Sequence, residues 1–323
     1  MKEVAFLQKN TPKWKQFESL LHTKSADPDL LADLFIQVTN DLAYSRTNYS
    51  TSRTTLYLNE LALKVHQAIY KNKKEQKNRF ILFWKYELPM LFKSAHRQLF
   101  YSFIIFIISS TIGAVSAAYD DTFVRLILGD DYVNMTLENI ERGDPMAVYK
   151  SMDQITMFFY ITFNNIRVSF NIFIGGLLAS VGTALMLTYN GIMLGSFQYF
   201  FYQKGLLVES ALTIWIHGTL EIAAIIIAGC AGLVMGNSLL FPGTYTRLQS
   251  FQMGAKKGLK ITIGLVPIFI TAGFLESFIT RYTDMPLALS LFIILSSAFF
   301  IIYYFIVYPI QLSKKERLDT LNN

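Results

Sequence analysis

The sequence predicts an all-α, polytopic membrane protein of five to six transmembrane helices, six preferred, preceded by a cytoplasmic helical domain. Three observations predict it. Of 323 residues, 52% are hydrophobic and 15% aromatic, more apolar surface than an ordinary soluble domain carries. Those residues gather in long runs after Leu99, whereas the preceding segment has only amphipathic periodicity. The stretch TIWIHGTLEIAAIIIAGCAGLVMG, 213–236, exceeds the roughly 20 apolar residues that a bilayer crossing requires.

The expected organisation is a helical domain at 1–97, a membrane domain at 98–312 and a short tail at 313–323. In the first, Phe6, Trp14, Phe17, Leu20 and Leu21 mark one amphipathic helix. Asp27-Pro28 reads as an N-cap followed by a proline at the first helical position. Leu31, Leu34, Phe35, Val38 and Leu42 then share a face, as do Leu58, Leu61, Ala62, Val65 and Ile69 after a Ser/Thr-rich break. The basic run KNKKEQKNR closes the unit. The aromatic, basic segment around 80–98, interrupted by Pro89, suits a helix lying in the membrane interface.

Spans are expected at about 99–118, 168–187, 191–203, 213–236, 261–279 and 287–308. Asn190-Gly191 reads as the turn between the second and third, Pro242-Gly243 as a turn, and Pro267 as a kink. The 191–203 piece is short for a full crossing and reads as a tilted span or a re-entrant segment. Orientation follows from charge. The 119–154 loop has eight acids against three basic residues, while 237–260 has Arg247, Lys256, Lys257 and Lys260 and no acid. With the basic tail of Lys314, Lys315 and Arg317, this places both termini and 237–260 in the cytoplasm. All these assignments agree only for an even number of crossings. Sixteen of the 29 Lys and Arg precede Leu99 among acids and beside the first span, so the net charge of +6 is topological and suits lipid surfaces; no nucleic-acid partner is expected. No apolar run before Gln98 has the form of a signal peptide.

The candidate site is an intramembrane polar cluster of His217, Glu221, Glu276, Arg167, Asn165 and Asn190. His217 and Glu221 stand one turn apart on a helix face. Such a pair can relay protons, bind an ion, supply two metal ligands, or hydrogen-bond to a neighbouring span and set its register. Glu276 is placed to reach Glu221 or Arg167, or to face water. Arg167, with Asn164 and Asn165, either snorkels to headgroups or balances Glu221. A metal site needs more ligands than two, so none is expected, nor any cofactor. Cys230 is the only cysteine, which excludes a disulfide framework; His22, His66 and His96 fall outside the bilayer, His66 in the helical domain. Ala224, Ala228, Gly232 and Gly236 at one spacing, and the pair Gly191 and Gly195, are helix-packing positions. The first set packs within the chain or between subunits of a homo-oligomer.

YSRT following DLA, YLNELALKVHQAIYK, NNIRVSFNIFIGG, GTALMLTYNGIMLG, HGTLEIAAIIIAGCAGLVMG and AGFLESFIT occur in an order that resembles the stage II sporulation protein M family, from about Asp41 to Thr280. The HGxxE helix and its AGxAGLxxG continuation are the most specific block. The resemblance implies a multi-pass protein of the bacterial inner membrane, non-enzymatic, that scaffolds peptidoglycan-degrading enzymes during envelope remodelling. The absence of a Walker loop, HExxH or GxSxG agrees with a scaffold that recruits protein partners. A transporter or channel using His217, Glu221 and Glu276 is the competing expectation, and an intramembrane metal-dependent enzyme a remoter one.

Overall fold

The computed structural model describes residues 2–21, 28–71, 79–120, 122–150, 152–283 and 285–321. All regular elements among them are helical, and the chain divides into two compact units, Met1–Arg79 and Phe80–Asn323.

The first unit packs α1 (Glu3–Leu21), α2 (Pro28–Asn48) and α3 (Arg53–Lys71). Its core is the set of periodic residues read above: Phe6, Trp14 and Phe17 from α1, Leu34, Val38 and Leu42 from α2, Leu58 and Leu61 from α3. Pro28 opens α2, where its missing N–H costs no helical hydrogen bond. Asp27 and His22 lie outside the described residues, as do the side chains of Leu31, Val65, His66 and Ile69. Polar contacts fix the register. Trp14 Nε1 donates to Asp41 Oδ2 at 2.8 Å, and the Glu3 carboxylate accepts from Thr54 Oγ1 at 2.7 Å and from the Ser52 hydroxyl.

The second unit begins at Phe80, earlier than the expected 98. The aromatic segment does not form a separate interfacial helix. After α4 (Arg79–Leu82) and a π-helical turn (Phe83–Glu87), α5 runs unbroken from Leu88 to Tyr119. Pro89 sits in its first turn, where a proline is tolerated. Leu88, Phe92 and Ala95 enter the membrane unit's core, Phe92 edge-on to Phe305 at 4.7 Å. Packing thus draws the segment into the bundle.

The expected acidic loop contains two helices, α6 (Phe123–Leu128) and α7 (Asp130–Glu141), and a 3-10 turn at Ala147–Lys150. The region after it departs most from expectation. In place of spans at 168–187 and 191–203, the chain forms α8 (Gln154–Ile174) and α9 (Val181–Gln203). The break falls at 175–180, where Ala179 and Ser180 adopt φ of 50° and 71°. Gly175 and Gly182 close the hairpin: a methyl on Gly175 would lie 2.8 Å from the Gly182 carbonyl carbon. Asn190-Gly191 is interior to α9, Asn190 Nδ2 being satisfied by the Met186 carbonyl one turn back at 2.8 Å.

α10 (Leu207–Leu240) is the buried axis of the unit. A turn carrying Gly243 at φ 62° leads to α11 (Arg247–Ile263), so the basic segment read as a loop is mainly helix. Gly254 and Gly258 bring α11 against α10. Pro267 does not kink a continuous helix; it occupies the first turn of α12 (Val266–Phe274) after a break at 264–265. A π-helical turn (Leu275–Ile279), α13 (Leu287–Ile302), another π-turn (Tyr303–Val307) and α14 (Tyr308–Leu321) complete the chain. Four stretches are long and apolar enough to cross a membrane: Arg79–Tyr119, Leu207–Leu240, Arg247–Ile279 and Leu287–Lys315. α8 and α9 have 21 and 23 residues and are not among the four.

Small residues set the packing. A methyl on Gly191 would lie 2.7 Å from Ser109 Cβ, and one on Gly195 2.8 Å from the Ala114 nitrogen. Both contacts advance together along α5 and α9, so these helices are parallel. Gly229 abuts Leu187 and Gly236 abuts Ser180, so α10 runs antiparallel to α9. Ala224, Ala228 and Gly232 of the same ladder are buried, and Gly232 meets Thr183 and the Ile172 carbonyl. The seam therefore packs within the chain, not between subunits.

Candidate functional site

α10 turns His217 and Glu221 toward α8 and toward the π-turn that follows α12. The π-turn widens the helix by one residue per turn; the Thr280 amide bonds the Leu275 carbonyl five residues back at 2.8 Å. Glu276 and Thr280, four apart, consequently face His217 together. His217 Nδ1 lies 3.0 Å from Thr280 Oγ1, and His217 Nε2 lies 3.8 Å from Glu276 Oε1. From α8, Asn165 Nδ2 donates to Glu221 Oε1 at 2.5 Å. One ligand atom each from His217, Glu221 and Glu276 lies within 4.8 Å of the others. Only 4% of the His217 side chain and 14% of that of Glu276 is exposed.

The connection between α5 and α8 closes the cluster from one side. Tyr149, itself buried, stands edge-on to the His217 ring with centroids 5.5 Å apart. It packs in a core with Met146, Phe200, Phe201 and Ile214. Burial first, then the nearby carboxyls, pushes the Tyr149 phenol well above its ordinary value, so its hydroxyl keeps its proton at any physiological pH.

Proton accounting admits two tautomers of the histidine. A hydroxyl has one proton to give, and that of Thr280 has two acceptors in reach, the Leu275 carbonyl at 3.2 Å and His217 Nδ1 at 3.0 Å. With the proton on Leu275, Thr280 accepts from His217 Nδ1–H and Nε2 keeps its lone pair on the Glu276 side; with the proton on Nδ1, Nε2–H faces Glu276. The cluster combines one imidazole, two carboxyl groups hydrogen-bonded to each other and a single amide donor. Among the described residues no Lys or Arg forms an ion pair with either carboxyl. The arrangement can hold protons or a cation between α10 and the π-turn, or serve as polar glue between α8, α10 and α12.

Of the six residues expected together, four meet: His217, Glu221, Glu276 and Asn165. Arg167 does not balance Glu221; its guanidinium donates to Asn164 Oδ1 at 3.1 Å and lines an open groove with Tyr160 and Phe163. The reason is helical phase, because Asn165 and Arg167, two apart, point away from each other on α8. Asn190 is also elsewhere, spent on its own helix. Sequence reasoning missed Thr280 and Tyr149. Thr280 carried a signal, standing one turn after Glu276 in AGFLESFIT; Tyr149 carried none, being brought in by the fold of a distant connection.

The sequence model of one family, Stage II sporulation protein M, matches residues 102–281. That interval holds every residue of the cluster. A second, a domain of unknown function (DUF8413), matches residues 4–71, the three helices of the first unit. No curated protein and no solved structure matches the chain. The family match covers more than half of the chain, including the HGTLE helix and the α8–α9 hairpin, and the chain is a member of the Stage II sporulation protein M family.

Proposed function

We propose that this protein is a non-enzymatic scaffold of a bacterial inner membrane, crossing it six times with both termini in the cytoplasm, and that it recruits envelope-remodelling proteins. The observation that carries the reading is the closure of the polar cluster. His217 and Glu276 are enclosed by helices and by Tyr149, and elsewhere in the unit α5, α8, α9 and α10 approach one another closely at glycines. A solute path needs room between helices, whereas a scaffold needs a fixed frame. The alternating helix directions support six crossings: α8 and α10 run one way, α9 and α5 the other. α8 and α9 are then spans in which Asn165 and Thr183 face protein, while Arg167 stands on an exposed face of α8.

The first unit supplies a separately packed cytoplasmic surface, and the acidic 119–154 connection an external one. Partners of the cell-wall hydrolase class fit the family resemblance, and self-association remains compatible through surfaces other than the glycine seam. The test places photo-crosslinking residues on 119–154 and on α1–α3 in native membranes, with the purified chain assayed in parallel in liposomes. Discrete hydrolase adducts and solute flux no greater than in empty vesicles are expected. Flux of a defined solute that Glu221→Gln abolishes would replace this reading with a transporter.

A further inference from the structure

The geometry points to a binding site for one divalent transition-metal ion of the zinc type at His217, Glu221 and Glu276, tying α10 to the π-turn that follows α12. The inference stands independently of the scaffold reading. The donor set is one imidazole nitrogen and two carboxylates, with ligand atoms within 4.8 Å of one another. A tetrahedral zinc with bonds of about 2.0–2.1 Å holds its ligand atoms roughly 3.3 Å apart. The pair His217 Nε2 and Glu276 Oε1, at 3.8 Å, is already close to that, and rotation of the two glutamate side chains closes the rest. Three protein ligands leave a fourth position for water or a partner's group.

Two further observations favour a cation over an apolar filling. The first is the orientation of His217. Thr280 Oγ1 lies 3.0 Å from Nδ1 and 3.2 Å from the Leu275 carbonyl, so it can accept from Nδ1–H while giving its own proton to Leu275, the tautomer that a metal on Nε2 requires. Nε2 belongs to a ring 4% exposed and stands 3.8 Å from Glu276 Oε1, too long for a hydrogen bond. Thr280 on Nδ1 and Asn165 on Glu221 Oε1 are the outer partners that metal-binding histidines and carboxylates characteristically have.

The second is charge. Among the described residues, no Lys or Arg pairs with Glu221 or Glu276, and a carboxylate taken out of water requires a partner or a proton. The two carboxyls are hydrogen-bonded to each other, which takes one proton between them; a divalent ion displaces that proton and neutralises both carboxylates at once. The imidazole favours zinc, iron, copper or nickel over magnesium, calcium or manganese. Thiolate does not contribute, since Cys230 lies nine residues along α10 from Glu221, about 13 Å away on the helix axis. The widening of the helix at Leu275–Ile279 is the backbone device that aims Glu276, as π-turns at functional sites commonly do.

The test uses the full-length protein in nanodiscs, stripped with chelator, equilibrated with zinc chloride and freed of excess. Metal content is then measured by mass spectrometry, and zinc-edge X-ray absorption is recorded on the same sample. About one zinc per chain is expected, with a first shell of one imidazole and otherwise oxygen. Glu276→Gln should lower the content at least tenfold with its elution profile kept. The triple variant His22→Gln, His66→Gln, His96→Gln should retain it, and magnesium alone should not compete. A well-folded wild type that holds no zinc overturns the proposal, as does a first shell with two or more imidazoles, or a Glu276→Gln variant that binds like the wild type. If Glu276→Gln fails to fold, the wild-type stoichiometry and absorption spectrum decide.

Discussion

In the first unit, Trp14, Phe17, Leu58 and Leu61 are wholly buried and hold three helices together by their bulk. Between α5 and α9 the opposite arrangement prevails: Gly113, Gly191 and Gly195 leave so little between the helices that backbone meets backbone. The difference follows from the solvent. In water, each large apolar side chain withdrawn from the surface contributes roughly 1.5–3 kcal/mol. In lipid that transfer contributes nothing, because a leucine is as well solvated by acyl chains as by protein, and close packing with polar anchors takes its place. Bulk is therefore an asset in one unit and an obstacle in the other.

The sharpest way to break this comparison is to add bulk where the second unit has none. Gly195→Leu places a side chain against the Ser110 carbonyl and within 2.8 Å of the Ala114 nitrogen at its first carbon, with no flexible neighbour to yield. The cost should exceed the ~3 kcal/mol of ordinary overpacking, seen as loss of the monodisperse peak in detergent. Gly218→Ala on α10 is the control, because its added carbon meets only Ile214 Cγ2 at 3.7 Å; it should change the melting temperature little. Equal damage from both substitutions would mean that glycine acts through chain flexibility and not through close approach.

The converse experiment removes bulk. Trp14→Ala should cost about 3–5 kcal/mol, and also frees Asp41 from its indole donor. Limited proteolysis of the full chain should then cut within 1–79 while the membrane unit resists. Cleavage spreading into α5–α13 would show that the two units do not fold separately. At the polar cluster, Asn165→Ala removes the donor to Glu221 Oε1. An unsatisfied buried acceptor costs about 1–3 kcal/mol, so thermal stability in nanodiscs should fall by that order. If Arg167→Ala cost more, the counter-charge role would return to the arginine.

How far these features were readable in the residues depends on whether their cause is local. The faces of α1–α3 are a period in one segment, and Phe6, Trp14, Leu34, Val38 and Leu58 emerge from periodicity alone. The glycine ladder of α10 and the Gly191/Gly195 pair are likewise visible, because lipid packing leaves its mark as spacing. The hairpin at 175–180 was not, since it contains no proline and its strained residues, Ala179 and Ser180, are ordinary helix occupants. Asn190-Gly191 misled because the same glycine that permits a turn in water permits close helix contact in a membrane. Gly254 and Gly258 hid in a basic segment that read as a loop. His217 and Glu221 declared themselves by being polar in an apolar run, whereas Tyr149 joined them only through tertiary folding.

The smallest expected effects compare one hydrogen-bonded anchor from each unit. Ser102 Oγ donates to the Ile226 carbonyl at 2.5 Å, wholly inside the membrane unit; Ser102→Ala should cost about 0.6–1.7 kcal/mol at every pH, because neither group titrates. The Glu3 anchor behaves differently. The hydroxyls of Ser52 and Thr54 hold its carboxyl below the usual carboxylate value, so the folded state binds its proton less readily than the unfolded one. Its contribution is complete above the unfolded carboxyl's pKa and is lost as pH falls through the lowered folded value. Acid titration of the first unit's unfolding should therefore show a limb on the low-pH side that Glu3→Gln flattens, while the Ser102→Ala difference stays constant across the same range. A Glu3→Gln variant with an unchanged acid limb would assign that limb to other carboxylates and leave the Glu3 contacts as packing alone.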